Sequence, residues 1–263
     1  MKHKYKDTIY YSDEQNDDFA TTVKNIKKIP SGYKYISKNI FFKLFSILIY
    51  NILVRPLAWL YLKIRFHHKF IGKSNIKKLK KTGFFIYSNH VTVIGDAFLP
   101  NQITWKNNNY IIIGEQAASL RILRPILKAL GGLPLSDDMK NKKELFKAIK
   151  YRIEHNDSVT IYPEAHVWPY YTKIRHFSNE SFKYPAKFNV PIIVATTCFQ
   201  KRRFIKRPKI VSVINGPYYP KEDLNTLENS IYLRDLAYNT MVENALKYST
   251  YEAYKYEKKE NEE

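Results

Sequence analysis

The 263-residue sequence has one cysteine, Cys198, and is poor in acidic residues. A single cysteine excludes an intramolecular disulfide and suits a reducing compartment. The 24 Asp and Glu residues stand against 44 Lys and Arg residues, which gives a formal charge of +20. This excess predicts a polyanionic partner, and nucleic acid, anionic lipid or an acidic carrier protein would each meet that description.

A secretory signal peptide is also missing at the start of the sequence, where residues 1–38 are polar and mixed in charge. We therefore expect a cytoplasmic protein whose N-terminal extension, 1–38, wraps on the domain or on a membrane surface. Aromatic residues make up 15% of the chain, which argues against disorder and favours surfaces half immersed in an apolar phase. Lipid is therefore the preferred anionic partner.

Residues 40–66 are the most apolar part of the chain. Their uninterrupted apolar run, 44–54, predicts a helix of roughly 16 Å against roughly 30 Å of hydrocarbon, which is too short to span a membrane. We predict two amphipathic helices, broken at Pro56, that lie in the interface with basic side chains toward headgroups. The predicted membrane-facing residues are Phe45, Leu48, Trp59 and Tyr61. A hydrophobic hairpin buried in the domain is the alternative, and the basic stretch 69–81 would add an electrostatic anchor.

From Thr82 onward, short apolar strands alternate with helical segments. The predicted strands are 84–87, 110–113, 159–162, 192–196 and 210–214, and the predicted helices are 92–102, 118–130, 142–155, 180–188 and 234–248. This alternation predicts an α/β fold with a mostly parallel sheet flanked by helices, whose ligands gather at the strand ends. The predicted division is an extension (1–38), interface helices with a basic linker (39–81), the α/β domain (82–254) and a charged tail that frays (255–263).

The segment 83–100, GFFIYSNHVTVIGDAFLP, carries the clearest chemical signal. His90 follows a predicted strand and Asp96 lies six positions later. A His at a strand end with a nearby carboxylate is the arrangement needed to take a proton from a hydroxyl. Asn89 precedes the His, and Gly95 precedes the Asp. A second strand-end turn, IYPEAH at 161–166, follows some 70 residues later.

Four blocks, in their order and spacing, resemble those of the glycerolphosphate acyltransferase family, most closely its 1-acylglycerol-3-phosphate acyltransferase branch. The matching residues are Asn89-His90 with Asp96, residues 130–135 (LGGLPL), residues 162–166 (YPEAH) and residues 190–194 (VPIIV). The resemblance covers roughly residues 40–215. It implies an enzyme that transfers a fatty acyl group from a coenzyme A or acyl-carrier-protein thioester to the free hydroxyl of a lysophospholipid, first 1-acyl-glycerol-3-phosphate, with no cofactor or metal.

The same resemblance implies a location and residue roles. The enzyme would lie on the cytoplasmic face of the cell membrane as a monotopic protein bound to an anionic surface, with no nucleic acid as partner. His90 would act as general base on the acceptor hydroxyl, and Asp96 would fix its tautomer and stabilise the imidazolium. Glu164 would orient the acceptor or bind its polar head through neighbouring basic residues.

Three departures from the family pattern concern the site. Five residues rather than four separate His90 from Asp96, so either Gly95 permits a bulge or Asp96 is not the partner. The second block lacks the expected Arg, and the third has residues 165–167 (AHV) where Gly-Thr-Arg would stand, which removes a phosphate-binding guanidinium. The predicted substrate-binding residues are Asn89, Gly95, Glu164 and His166, with Lys173 and Arg175 as replacement cations. A neutral or sugar-bearing acceptor is the main substitute.

Other interpretations stay open at this point. His90 could cap the following helix, and Glu164 could be a turn carboxylate that stabilises the fold. A basic nucleic-acid-binding protein would explain the charge, although the charges are dispersed and no binding motif is present. A metal-dependent hydrolase built on Glu164, His166 and His176 has only a loose E-x-H spacing in its favour.

Overall fold

A seven-stranded sheet forms the centre of the protein. The computed structural model describes residues 7–20, 27–79, 81–104, 108–118 and 124–259. The strands of this sheet are Lys69–Ile71 (β2), Phe84–Ser88 (β3), Asn109–Ile113 (β4), Gly132–Pro134 (β5), Ser158–Ile161 (β6), Ile192–Gln200 (β7) and Lys209–Tyr218 (β8). Their order is β2-β8-β7-β3-β6-β4-β5, and each neighbouring pair is parallel except β7 with β8.

The central strands are buried along their whole length. Every residue of β3 and β6 is buried, as expected when helices cover both faces of a parallel sheet. The predicted α/β fold with a mostly parallel sheet is therefore confirmed. The sequence pattern did not reveal β2 and β5, because each has only three residues and lies at a sheet edge.

Helices follow the strands and cover the sheet. They are Gly95–Ile103 (α3), Arg124–Ala129 (α4), Met139–Glu154 (α5), Lys183–Phe188 (α6) and Thr226–Tyr248 (α7). The last helix begins eight residues before its predicted start because Asn225 and Glu228 form a capping box there. Residues 119–123 of the predicted helix 118–130 lie outside the described residues.

One continuous helix covers residues 40–66, which corrects the predicted break at Pro56. It consists of Ile40–Leu48 (α1), a π-helical segment Ile49–Val54 and Arg55–Phe66 (α2), and Pro56 lies in the first turn of α2. Proline lacks an N–H and its ring crowds the preceding turn, and the wider π turn accommodates both effects. We call Ile40–Phe66 the apolar helix. Its 27 residues are long and apolar enough to cross a membrane by length and composition, so the prediction that it is too short was wrong.

The apolar helix contacts the domain along one side only. Ala58, Leu62 and Phe66 are buried against the domain. The four predicted membrane-facing residues are exposed: Phe45 (48%), Leu48 (57%), Trp59 (48%) and Tyr61 (36%). The alternative of a hairpin buried in the domain is therefore wrong.

Arg55 corrects the prediction that the basic residues of this segment point toward headgroups. Its guanidinium is buried and donates to the Thr104 carbonyl and to Asn51 Oδ1, both at 2.9 Å. It fastens the apolar helix to the end of α3, whereas Lys43 and Lys63 are exposed.

The two ends of the chain pair with each other, which corrects the prediction of a fraying tail over 255–263. Strands Thr8–Tyr11 (β1) and Lys255–Lys258 (β9) form a parallel two-stranded sheet. Tyr256 stacks on the buried Trp168 ring at 5.0 Å, and Trp168 Nε1 donates to the Asp17 carbonyl at 2.7 Å. The described residues 7–20 of the N-terminal extension thus wrap on the domain beside the YPEAH turn. Residues 260–263 lie outside the described part of the chain.

Candidate active site

His90 lies in the turn after β3, at the carboxyl edge of the parallel strands. Its Nδ1 is 2.7 Å from Asp96 Oδ2 in the first turn of α3. The imidazole side chain is 20% exposed, whereas the Asp96 side chain is only 3% exposed. A carboxylate that accepts from Nδ1–H leaves the lone pair of the neutral ring on Nε2. Among the described residues none hydrogen-bonds to Nε2, so this atom is available to a substrate hydroxyl.

Thr92 holds the Asp96 carboxylate in place. The Thr92 N–H donates to Oδ2 at 3.0 Å, and its hydroxyl donates to Oδ1 at 2.5 Å. The extra residue in the His-to-Asp spacing is absorbed in the turn formed by residues 92–94. Gly95 does not adopt the left-handed backbone conformation, so the prediction that glycine's backbone freedom permits a bulge there was wrong. It is required because a Cβ there would lie 2.5 Å from Thr92 Oγ1.

Tyr162 supports the imidazole from one face. Its ring stacks on the His90 ring at 4.4 Å with an interplanar angle of 21°, and its hydroxyl donates to the Asp96 carbonyl at 2.5 Å. Burial, and then the Asp96 charge, hold the pKa of the Tyr162 hydroxyl well above its usual value. The hydroxyl therefore stays a donor and fixes the plane in which the imidazole lies.

Glu164 lies directly behind the His90 turn. Its carboxylate accepts from the His90 N–H at 3.1 Å and from the Arg175 N–H at 3.0 Å, and it pairs with the Arg175 guanidinium at 3.2 Å. Burial raises the pKa of Glu164, against the opposing effect of the Arg175 charge. Both side chains are almost fully buried, so the predicted contacts of Glu164 and Arg175 with an acceptor headgroup are not what this geometry provides.

The remaining predicted substrate-binding residues are scattered. Asn89 is buried and bridges to β7, accepting from the Thr197 N–H at 2.8 Å and donating to the Thr197 carbonyl at 3.0 Å. His166 is half-buried, with Nδ1 3.8 Å from Asp18. Lys173 is exposed. Of the predicted set, the structure brings together His90 and Asp96, with Gly95 packed against Thr92 and with Asn89 and Glu164 bracing the His90 loop.

The apolar surroundings of the dyad come from the loop itself. Val93 and Ile94 precede α3 and are each 55% exposed. They place exposed apolar surface in the same loop as the dyad, which suits a hydrocarbon chain more than a charged group. Within the described ranges, no three His, Cys, Asp or Glu side chains converge closely enough to hold a metal ion.

A family model described as Acyltransferase matches residues 67–197, which contain His90, Asp96 and Glu164. The chain belongs to the acyltransferase family. The resemblance to glycerolphosphate acyltransferases is thereby confirmed. A search of curated protein sequences finds no match to this acyltransferase.

A solved structure shares the fold of this acyltransferase. The crystal structure of the 1-acyl-sn-glycerophosphate (LPA) acyltransferase PlsC from Thermotoga maritima matches with a TM-score of 0.52 and 17% sequence identity. The match covers 81% of this chain and 98% of that chain. At this identity the likeness concerns the fold alone.

Two residues of the acyltransferase site were missed by sequence reasoning. Thr92 and Tyr162 both act on the dyad through Asp96. A hydroxyl four positions before the carboxylate, followed by a tight turn, was the available signal for Thr92. The sequence signal for Tyr162 was weaker, because an aromatic residue before Pro-Glu is equally compatible with a position in the hydrophobic core.

Proposed function

We propose that this acyltransferase moves a fatty acyl group from a coenzyme A or acyl-carrier-protein thioester to the free hydroxyl of a lysophospholipid, with 1-acyl-glycerol-3-phosphate as the first acceptor to test. The observation that carries the proposal is the His90–Asp96 pair with Nε2 free at the carboxyl edge of the sheet. The solved structure with the same fold is named as an LPA acyltransferase, which supports this choice of acceptor.

The dyad supplies the proton transfers for direct acyl transfer. His90 Nε2 takes the proton from the acceptor hydroxyl while the oxygen attacks the thioester carbonyl, and Asp96 stabilises the imidazolium that forms. The tetrahedral intermediate then collapses, the C–S bond breaks, and the leaving thiolate takes the proton from His90. A thioester is already activated, so the proposal calls for no metal, cofactor or covalent acyl-enzyme.

The exposed side of the apolar helix supports the proposed membrane association. Exposed apolar side chains continue along it from Phe41 (77%) through Ile52 (70%) to Ile64 (68%). Soluble proteins rarely expose so long a row of apolar side chains. With the basic balance of the chain, it supports attachment to an anionic membrane on its cytoplasmic face. Although the helix is long enough to span, Ala58, Leu62 and Phe66 pack against the domain, so in the proposed arrangement it lies in the interface as a monotopic anchor.

A neutral or sugar-bearing acceptor is the second candidate, and the position of Arg175 favours it. The guanidinium that was expected to bind a phosphate is 1% exposed and paired with Glu164. Lys173 is then the remaining predicted cation near the third block. A contact between Lys173 and the headgroup would favour a phosphate-bearing acceptor, and the lack of one would favour a neutral acceptor.

The reaction is tested by incubating the purified enzyme with acyl-coenzyme A or acyl-carrier-protein thioesters and a panel of phosphate-bearing and neutral lysolipids, and identifying the lipid consumed. His90→Ala should lower turnover roughly 10² to 10⁴-fold. His155→Ala, on an exposed His at the end of α5 outside the dyad, is the matched control and should keep wild-type turnover. If His90→Ala keeps wild-type turnover while folded, the proposed base is wrong.

The anchor is tested by flotation with anionic vesicles. Replacing Leu48 and Ile52 together by Glu should release the protein, because both are more than half exposed on the apolar helix. Leu246→Glu changes an 81% exposed leucine on α7 and should leave binding unchanged. Undiminished flotation of the double variant would contradict the anchor, and salt-sensitive retention on DNA without vesicle binding would favour the nucleic-acid alternative.

A further inference from the structure

A cavity of about 230 Å³ lies between the apolar helix and the edge of the sheet. Asn109 at the start of β4 and Gly132 at the start of β5 line it. His90 follows the end of β3, and β3, β6, β4 and β5 all run parallel. The cavity therefore lies at the opposite edge of the sheet from the dyad and is a separate site.

The cavity is positively charged. Lys43, Lys128 and Arg152 line it, and no carboxylate is found among its described lining residues. The Arg152 guanidinium packs over the Tyr110 ring at 4.1 Å, and Asp157 approaches it only to 3.9 Å. Burial, followed by the charge of Arg152, lowers the pKa of Lys128. An anion is the ligand that this concentration of positive charge favours.

A buried donor in the cavity wall has no partner. Asn109 is 1% exposed, and its Oδ1 accepts from the Ser158 and Thr160 hydroxyls at 2.9 and 2.8 Å. Its Nδ2 has no hydrogen-bond partner among the described residues, and neither has Nε of Arg152. Leaving a buried donor unpaired is costly. A ligand oxygen that reached either group from the cavity would satisfy it.

The apolar part of the wall comes from the helix that we assign to the membrane. Phe42 and Ile47 line the cavity, and Ile47 is 57% exposed. Phe41 and Leu44 lie exposed on the same helix. A cavity of this size holds a phosphate with a small alcohol and excludes acyl chains, which would have to run outward along the helix.

From these observations we infer that the cavity binds the headgroup of an anionic phospholipid. The phosphate lies among Lys43, Lys128 and Arg152 and accepts from Asn109 Nδ2, and the acyl chains lie on the apolar helix. The bound lipid holds the helix in a fixed orientation to the membrane, independently of the reaction at His90. The inference rests on the membrane association in the proposed function and not on the choice of acceptor.

The test measures binding of dihexanoyl phosphatidylglycerol, below its micelle concentration, to the full-length protein by calorimetry. This lipid is neither acceptor nor product of the proposed reaction. Exchanging all three cavity cations for Gln should weaken binding on the order of 100-fold, at several-fold per cation. The charge-matched control exchanges the exposed Lys147, Lys183 and Lys247 for Gln and should leave binding within about threefold.

A second variant tests the role of the cavity without changing the net charge of the protein. Ser46 lines the cavity, and Ser46→Leu fills part of it without changing any charge. This variant should also lose binding, while both cavity variants keep the acyl-transfer rate on soluble substrates. Equal losses in the triple variant and its control would overturn the inference. So would inorganic phosphate binding as tightly as the lipid, since the ligand would then be a free anion.

Turnover and binding can fail separately. A protein without acyl transfer that still binds the lipid through the cavity would refute the proposed function alone. A protein with normal turnover whose cavity variants bind like wild type would refute the cavity site alone.

Discussion

Asp96→Asn isolates the electrostatic role of the carboxylate in the dyad. Asp96 Oδ2 accepts from both His90 Nδ1 and the Thr92 N–H, whereas Oδ1, among the described residues, meets only the Thr92 hydroxyl. An asparagine can place its oxygen at the first position and its NH₂ at the second, because a hydroxyl accepts as well as donates. The His90 tautomer and ring orientation should therefore survive the substitution, and only the negative charge is lost.

The size of the loss follows from the separation of the charges. An imidazolium and a carboxylate about 4 Å apart attract by about 4 kcal/mol at an effective dielectric constant of about 20. This attraction exists only while His90 carries the proton, that is, in the transition state and the intermediate. Because about 1.4 kcal/mol corresponds to a tenfold change in rate, turnover should fall roughly 10² to 10³-fold with little change in KM.

The assay follows thiol release from acyl-coenzyme A with a chromogenic thiol reagent, and the buried Cys198 does not interfere. Thr92→Val serves as a partner variant, because it removes the hydroxyl that the asparagine NH₂ needs. Asp96→Asn should cost more in the Thr92→Val background than alone. Turnover of Asp96→Asn within threefold of wild type would show that the charge is unimportant. A loss well beyond roughly 10³-fold, with the fold intact, would exceed the charge term and refute the retained tautomer.

Three further predictions concern stability. Glu164→Gln leaves the Arg175 guanidinium buried beside a neutral amide and should lower the free energy of unfolding by roughly 3–5 kcal/mol in urea, and an unchanged midpoint would contradict the buried pair. Burial lowers the pKa of His68 to about 3, so below about pH 6.5 the unfolded chain gains a proton that the native chain excludes. Stability should fall by about 1.4 kcal/mol per pH unit from about pH 6 to 4, and His68→Gln should remove that slope when urea unfolding is compared across pH. Tyr256→Ala removes the ring stacked on Trp168 and should cost roughly 2 kcal/mol, whereas Tyr10→Ala on the exposed side of β1 should cost under about 0.5 kcal/mol; equal losses would refute the packing argument.

The parts of the fold that could be predicted from sequence depend on local patterns. The five longer strands are near-continuous apolar runs, and each lies within a few residues of its predicted range. The pairing of β1 with β9 joins segments almost the whole chain apart, and nothing local in either strand specifies its partner. The π turn before Pro56 escaped prediction for a related reason, because a proline more often ends or kinks a helix than widens the turn before it.

In the site, sequence identified the reacting residues better than the supporting ones. The contact between His90 and Asp96 followed from their order around one turn. How the turn accommodates the fifth residue between them depends on Thr92. Arg175 was expected to face a ligand because it follows the third block, where the family's phosphate-binding guanidinium is missing. Its burial depends on Glu164 and Trp168, which become its neighbours only when the fold closes over them.

The pairing of β1 with β9 has a consequence for the order of events during synthesis. The apolar helix leaves the ribosome roughly 190 residues before β9, and at about 5–20 residues per second this interval is roughly 10–40 s. The two-stranded sheet beside the YPEAH turn cannot form until β9 emerges. We expect the nascent chain to reach the membrane surface through its helix before the turn that supports His90 is locked. The enzyme would then complete its active site only after it has arrived where its lipid substrates are.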